Sequence, residues 1–108
     1  MANQIIVTAK DGAKYTLEFN RKVVETMERN GFVIDTDRPY TMVTTLFLGA
    51  FRMHHRGIDP DRVRAIWDEQ NHKDELLAEL ISMYNVPLNS LMKDNEEADA
   101  ENPTWTRA

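Results

Sequence analysis

The sequence predicts an α+β fold that is mostly helical, with an N-terminal β-hairpin followed by four to five packed helices and a flexible acidic C-terminal tail. Two short strand-like segments flank the pair Asp11-Gly12 near the N-terminus. The longest apolar run with helical spacing, residues 40–57, occupies the middle of the chain. After residue 93 the sequence turns acidic and loses its apolar period. Together these three observations predict the fold class.

Length and composition predict one small domain. The 108 residues, 42% of them hydrophobic, suffice for one core, so we expect a globular domain over residues 1–93 and a flexible tail over residues 94–108. The absence of cysteine excludes a disulfide scaffold and a thiol nucleophile, and it fits a reducing compartment. The longest unbroken apolar run, residues 46–51, falls far short of the roughly 20 residues of a membrane span, so no membrane partner is expected.

The formal net charge of −5 is unevenly distributed along the chain. Residues 94–108 contain five acids and one base, which leaves 13 acids against 12 bases in the body. A nucleic-acid-binding domain would instead show a basic surplus on one face. We therefore expect no nucleic-acid partner.

Residues 4–8, QIIVT, and residues 14–19, KYTLEF, have the character of the two strands of the hairpin. Asp11-Gly12 lies between them, and both residue types tolerate the positive φ of a tight turn. The second strand alternates polar residues with an apolar face that must pack on helices, because two strands alone are marginal in water. That face consists of Tyr15, Leu17 and Phe19.

The first helix has clear signals at both ends. Asn20 is a good N-cap for a helix that begins at Arg21, and Gly31 suits the left-handed position after its end. The next segment, Phe32-Val33-Ile34, fits either a third short strand or an extended linker.

The central helix is expected to start at or after Pro39, with Asp37 or Thr41 as its cap, and to end at Arg56-Gly57. On a helical wheel its apolar residues cover an arc of roughly 180°, wider than the stripe of an ordinary surface helix. An arc this wide needs more than one neighbouring element to cover it. Its members are Met42, Val43, Leu46, Phe47, Ala50, Phe51, Met53 and His54, with Gly49 at the margin.

Two or three further helices follow. Asp59 caps a helix with Pro60 in its first position, and another helix runs from about Asp74 to Tyr84. Pro87 is expected to stop or restart the chain before a last short amphipathic turn at residues 88–92.

No pattern of catalytic or metal-binding residues stands out. His54 and His55 are adjacent, so on a helix their rings point about 100° apart and cannot share one metal ion. We expect His54 to be buried with a hydrogen bond and His55 to lie on the polar side. The sequence contains no phosphate-binding loop, nucleophile elbow or calcium loop. We therefore expect a protein that is not an enzyme, with no cofactor, no metal and no small-molecule substrate.

Three residues are candidates for protein binding. Leu48 falls among polar residues on the central wheel, and Met83 lies at the edge of the apolar arc of its helix. Either fits scattered surface exposure or a binding patch. Trp105 is the one large apolar residue of the tail, so it either docks back on the body or awaits a partner.

Three segments of this chain and one late dipeptide carry a family resemblance. They are YTLEFNRKVVETMERNGF (residues 15–32), LFLGAFRMHHRG (46–57) and MYNVPLNSLM (83–92), with a late Thr104-Trp105. In these segments, and in their order, the chain resembles the small tail-assembly chaperones of tailed bacteriophages and prophages of Gram-positive bacteria.

The resemblance implies a non-enzymatic assembly factor of the bacterial host cytoplasm. Such proteins are thought to coat the tape-measure protein, to keep it soluble before the tail tube polymerises around it, and to be absent from the mature virion. Some are also made in a longer form by translational frameshifting, so the protein itself or such a form is a further expected partner.

Two other functions remain open at this point. One is a structural phage component, such as a head–tail connector or tail-completion protein. The other is a small regulatory nucleic-acid-binding module whose recognition helix would carry Arg62 and Arg64.

Overall fold

A computed structural model describes residues 4–94 and 106–107. It confirms the predicted fold class, because an antiparallel β-hairpin is followed by four packed helices. The tail predicted over residues 94–108 lies largely outside the described residues. The elements are β1 (Ile5–Thr8), β2 (Lys14–Leu17), α1 (Arg21–Arg29), α2 (Pro39–Phe51), α3 (Pro60–Glu69) and α4 (Lys73–Met92).

The hairpin forms where Asp11-Gly12 predicts it. Strands β1 and β2 pair with Ile5 opposite Leu17, and Gly12 adopts a φ of +92° in the turn. Leu17 and Phe19 are buried, so the apolar face of β2 packs into the core as expected.

The ends of α1 follow the local signals in the sequence. The Asn20 side chain accepts a hydrogen bond from the Val23 N–H at 2.8 Å, which is the predicted N-cap. Gly31 has a φ of +90°, and the Phe32 N–H then donates to the Met27 carbonyl at 3.0 Å. Phe32 is buried, whereas Val33 is exposed. The segment after Gly31 is a linker and not a third strand.

Helix α2 is the centre of the domain. It contacts β2, α3 and α4, which explains why its apolar arc is so wide. The Glu18 N–H, just after β2, donates to the carbonyl of Ala50 at 3.0 Å and so ties the end of α2 to the hairpin. Pro39 is its first residue, and Arg38 precedes it without a side-chain cap, so the expected cap by Asp37 or Thr41 is wrong. Its buried residues are Met42, Leu46, Phe47, Gly49, Ala50 and Phe51.

The end of α2 and the two histidines differ from the prediction. The helix ends at Phe51, six residues before Gly57, and the chain then turns toward β2. The Nε2 atom of His55 accepts a hydrogen bond from the Thr16 N–H at 3.0 Å. His54 is exposed, and its Nε2 lies 2.8 Å from Glu18 Oε1. The expected roles of the two histidines are therefore reversed, because a wheel continued past residue 51 no longer describes the chain.

Helix α4 also differs from the prediction, since it continues through Pro87 to Met92 as one helix. A proline inside a helix removes one N–H donor and crowds the preceding turn. Here Met83, Tyr84 and Pro87 are all buried, and α4 packs against both α1 and α2. Tertiary burial thus holds the helix together across the proline. In the described part of the chain, no helix has the length and apolar character needed to cross a membrane.

Candidate protein-binding groove

A groove of about 790 Å³ opens between α1, the linker over residues 30–35, and α2. We refer to it as the α1/α2 groove. Its apolar lining comes from both helices and the linker, and three of its members are methionines. The apolar side chains are Val23, Met27, Phe32, Val33, Met42, Leu48 and Met53.

Both walls of the groove pack on α4. Helix α1 contacts α4, and α2 contacts α4 together with β2 and α3. The two helices approach each other where Met27 lies over Gly49. A Cβ atom at position 49 would lie 2.6 Å from both the Sδ and the Cε atom of Met27. The glycine therefore allows the thioether to lie against the α2 backbone and form part of the floor.

The rim of the groove is basic, although the protein as a whole is acidic. Four cationic side chains line it against one acid, Asp35, which lies 3.7 Å from the guanidinium of Arg38. Among residues 4–94, no carboxylate forms an ion pair with Lys22, Arg52 or Arg56, and all three are exposed. A concave apolar surface with a cationic rim attracts a partner that carries acidic groups beside an apolar face.

The structure places the three predicted binding residues differently. Leu48 is half-buried and lines both the α1/α2 groove and a small cavity of about 50 Å³ between α2 and α3. Met83 is only 2% exposed, so its expected position at the surface is wrong and its side chain belongs to the core. Trp105 lies outside the described residues.

Most of the groove is not predicted from the sequence. Met27 and Met42 belong to the core and also line the groove, and the overall charge does not show that four basic residues share its rim. One signal was present, since four residues of α2 and its end recur at helical spacing on the side opposite the core. They are Thr41, Thr45, Leu48 and Arg52. The unexpected position of Leu48 on the wheel marked this second, groove-facing side.

Other polar groups on the surface pair within α3 or between α3 and the hairpin turn. Arg62 donates to Asp11 at 2.9 Å, and Arg64 donates to Asp61 at 3.0 Å. Both arginines of the alternative nucleic-acid-binding function are thus paired with carboxylates. Hydrogen bonds from Gln4 and His54 hold the pKa of Glu18 below its usual value. Within the part of the chain that the structure describes, no three His, Asp or Glu side chains are grouped to hold a metal ion.

The described residues form a small hairpin-and-helix domain with a basic-rimmed concave surface between α1 and α2. The chain belongs to the family described as a domain of unknown function (DUF5055), whose sequence profile matches residues 1–108. No curated protein and no solved structure matches the chain.

Proposed function

We propose that this protein is a phage tail-assembly chaperone that binds the tape-measure protein through the α1/α2 groove. The observation that carries the proposal is the groove itself, with its methionine-containing lining and a rim on which Lys22, Arg52 and Arg56 form no ion pair within residues 4–94. We infer the partner from the resemblance to such chaperones, which lies in residues 15–32, 46–57 and 83–92. In this proposal the protein acts in the host cytoplasm, has no catalytic role and leaves before the virion is complete.

The dimensions of the groove suit an amphipathic helix. Helix α2 has 13 residues and so spans roughly 20 Å at about 1.5 Å per residue. A wall of that length lies alongside three to four turns of a partner helix, which presents apolar anchors at i, i+3, i+4 and i+7. Carboxylates beside those anchors would meet Lys22, Arg52 and Arg56 on the rim.

The chemistry of the floor favours repeated, permissive binding. Methionine side chains are flexible and polarizable, and they repack against differently shaped apolar partners. Promiscuous binders use such surfaces to accept many sequences. A chaperone that coats a long protein has to accept successive segments that differ in sequence. Half-buried Met53 would contact such segments directly, whereas Met27 and Met42, at 6% and 3% exposure, offer only small areas to the groove.

Co-expression with the tape-measure protein encoded in the same phage or prophage tests the proposal. We expect the tape-measure protein to stay soluble and to co-purify with this chain. Thr45→Tyr would fill the groove from an exposed position on α2, and it should abolish both effects. Ala65→Tyr, an exposed position on α3, is the matched control and should preserve them. An insoluble tape-measure protein with no complex would refute the proposal.

Mass spectrometry of purified virions separates this proposal from its main alternative. A chaperone of this kind should be missing from mature particles. A head–tail connector or tail-completion protein would be present at a fixed copy number, and finding the chain there would favour that structural role.

A further inference from the structure

We infer that the outer edge of strand β1 is a docking site for an extended peptide segment with basic side chains, which adds to the hairpin as a third strand. The site includes a shallow groove of about 500 Å³ between β1 and the first half of α4. We refer to it as the β1/α4 groove. It shares no lining residue with the α1/α2 groove, so docking here does not depend on the proposed function.

The pairing within the hairpin shows which backbone groups of β1 point outward. In an antiparallel ladder, directly opposite residues alternate between pairs that exchange two hydrogen bonds and pairs that exchange none. Thr16 lies opposite Ile6, but its N–H donates away from β1, to His55 at 3.0 Å. Ile6 and Thr16 are therefore a pair that exchanges none. The N–H and C=O groups of Ile6, and those of Thr8 two residues later, consequently point to the outer edge.

Most of these outward groups have no hydrogen-bond partner in the described part of the chain. They are the N–H and C=O of Ile6 and the N–H of Thr8. The Thr8 carbonyl, in contrast, accepts from the Gln70 side chain at 3.1 Å, and the Lys10 N–H donates to the Glu69 carboxylate at 3.0 Å. The end of α3 thus closes the edge beyond Thr8, and an added strand would form its hydrogen bonds at Ile6 and the Thr8 amide.

Strand β1 lacks the residues with which edge strands commonly block pairing. Proline and charged side chains, lysine above all, discourage the addition of another strand. The sequence of β1, IIVT, contains neither and consists of β-branched residues, which favour strands. Ile6 is 58% exposed although it is a large apolar residue. Because β1 has only 4 residues, the surrounding groove has to supply further affinity and the selectivity.

The apolar lining of the β1/α4 groove suits one face of an added strand. It consists of Ile5, Ile6, Val7, Leu76 and Ala78. Val7 is buried and Leu76 is half-buried, so this lining is continuous with the core. Successive side chains of a strand point to opposite faces. An added strand would therefore place every second side chain over this surface.

The charge of the groove favours a basic strand. Glu75 and Glu79 line it one helical turn apart on the same face of α4, and both are exposed. Within residues 4–94 neither carboxylate forms an ion pair, and no described lysine or arginine lines the groove. Lysine or arginine side chains on the partner would supply the missing counter-charges.

The same carboxylates disfavour a second copy of this chain as the occupant. Two β1 edges paired about a two-fold axis would present the same surface to each other. Each copy would then bring Glu75 and Glu79 to the junction, and like charges across an interface are unfavourable. A different, basic partner avoids this repulsion.

Amide hydrogen exchange in the full-length protein tests the docking, with a capped peptide of alternating lysine and valine as the probe. At saturating peptide, exchange of the Ile6 and Thr8 amides should slow several-fold. Val33, an exposed residue that lines the α1/α2 groove, should keep its rate. A peptide of alternating glutamate and valine should protect none of them. Unchanged rates at Ile6 and Thr8 with the lysine peptide, or equal protection by both peptides, would overturn the inference.

Two matched pairs of variants separate the contribution of the backbone from that of charge. Ile6→Pro removes an outward amide but no hydrogen bond between β1 and β2, so it should abolish binding of the lysine peptide, whereas Ile6→Thr should bind it. Glu79→Lys should weaken binding several-fold. Glu28→Lys makes the same charge change at an exposed position of α1 and should not. Undiminished binding by Ile6→Pro or by Glu79→Lys would contradict the proposed mode of docking.

Two further measurements do not depend on the folding of any variant. Methylating alternate backbone amides of the lysine peptide gives two probes, and only the one methylated on the side facing β1 should fail to bind. Equal binding by both would exclude strand addition. Protection of Ile6 and Thr8 that rises with protein concentration in the absence of peptide would identify a second copy as the occupant, which also overturns the inference.

Discussion

Gly49 of α2 lies directly under the thioether of Met27 of α1. A Cβ atom at position 49 would come within 2.6 Å of both the sulfur and the terminal methyl group of Met27. The third nearest atom, in the ring of Phe19, would be at an ordinary contact distance of 3.5 Å. The missing side chain of Gly49 thus sets the position of one flexible residue in the floor of the α1/α2 groove.

Gly49→Ala is expected to alter the groove more than the stability of the fold. Alanine gains about 1 kcal/mol over glycine inside a helix, but the end of Met27 must move to make room. The free energy of unfolding should therefore change by less than about 1 kcal/mol in urea titrations. The displaced methionine reshapes the floor, so affinity for the tape-measure protein should fall several-fold.

Gly57→Ala is the matched control, since a Cβ atom there would have no heavy atom within 4 Å. It should leave both the free energy of unfolding and the affinity unchanged. Unaltered affinity in Gly49→Ala as well would show that the partner does not contact the floor of the groove.

Ala50→Leu tests the central position of α2. Ala50 is fully buried, and its carbonyl accepts the Glu18 N–H, so a larger side chain here would have to displace packed neighbours. Overpacking of this kind costs about 1–3 kcal/mol, which should appear as a lower midpoint of urea unfolding. Ala65→Leu makes the same change at an exposed position of α3 and should have little effect. Equal stability of the two variants would contradict the assignment of α2 as the buried centre.

Features governed by neighbouring residues were predictable from the sequence. The N-caps at Asn20 and Asp59, the left-handed Gly31 and the Asp11-Gly12 turn all follow from local hydrogen bonding and backbone freedom. The end of α2 was not predictable in this way, because a contact 39 residues apart, from the Thr16 N–H to His55, accompanies the turn of the chain. The passage of α4 through Pro87 likewise depends on burial against other helices.

The groove was only partly predictable for a similar reason. Periodicity identified Leu48 as unusual, and the structure places it in the lining. The same reasoning failed for Met83, because the edge of an apolar arc is exposed or buried according to which helices pack beside it. The α1 wall of the groove and its basic rim come from residues that are distant in sequence from α2. No single helical wheel can bring those residues together.

Lowering the pH should destabilise the fold, in part because it protonates the Glu18 carboxylate. Hydrogen bonds from Gln4 and His54 lower the pKa of this carboxyl from its usual 4.5. A group whose folded-state pKa is lowered stabilises the fold above its unfolded pKa and loses that contribution as the pH falls through the folded pKa. Glu18→Gln should therefore be less stable than the unmodified chain near pH 5, and the difference should shrink toward about pH 3.

Urea unfolding of both proteins at the two pH values measures this difference. If the difference in the free energy of unfolding between Glu18→Gln and the unmodified chain stayed constant on acidification, that result would show that the Glu18 carboxylate is not preferentially stabilised in the folded state.

The two histidines are expected to contribute unequally to stability. His55 is half-buried, and its Nε2 accepts the Thr16 N–H, so His55→Leu leaves that backbone donor without its partner. An unsatisfied donor in such a position costs about 1–3 kcal/mol. His55→Gln offers an amide oxygen as acceptor and should recover part of the loss. His54→Leu removes only a contact with Glu18 at the surface, so it should change stability far less. Urea unfolding of the three variants measures the order of their free energies of unfolding. If His54→Leu loses more stability than His55→Leu, the contact of His55 with Thr16 is not the more important of the two.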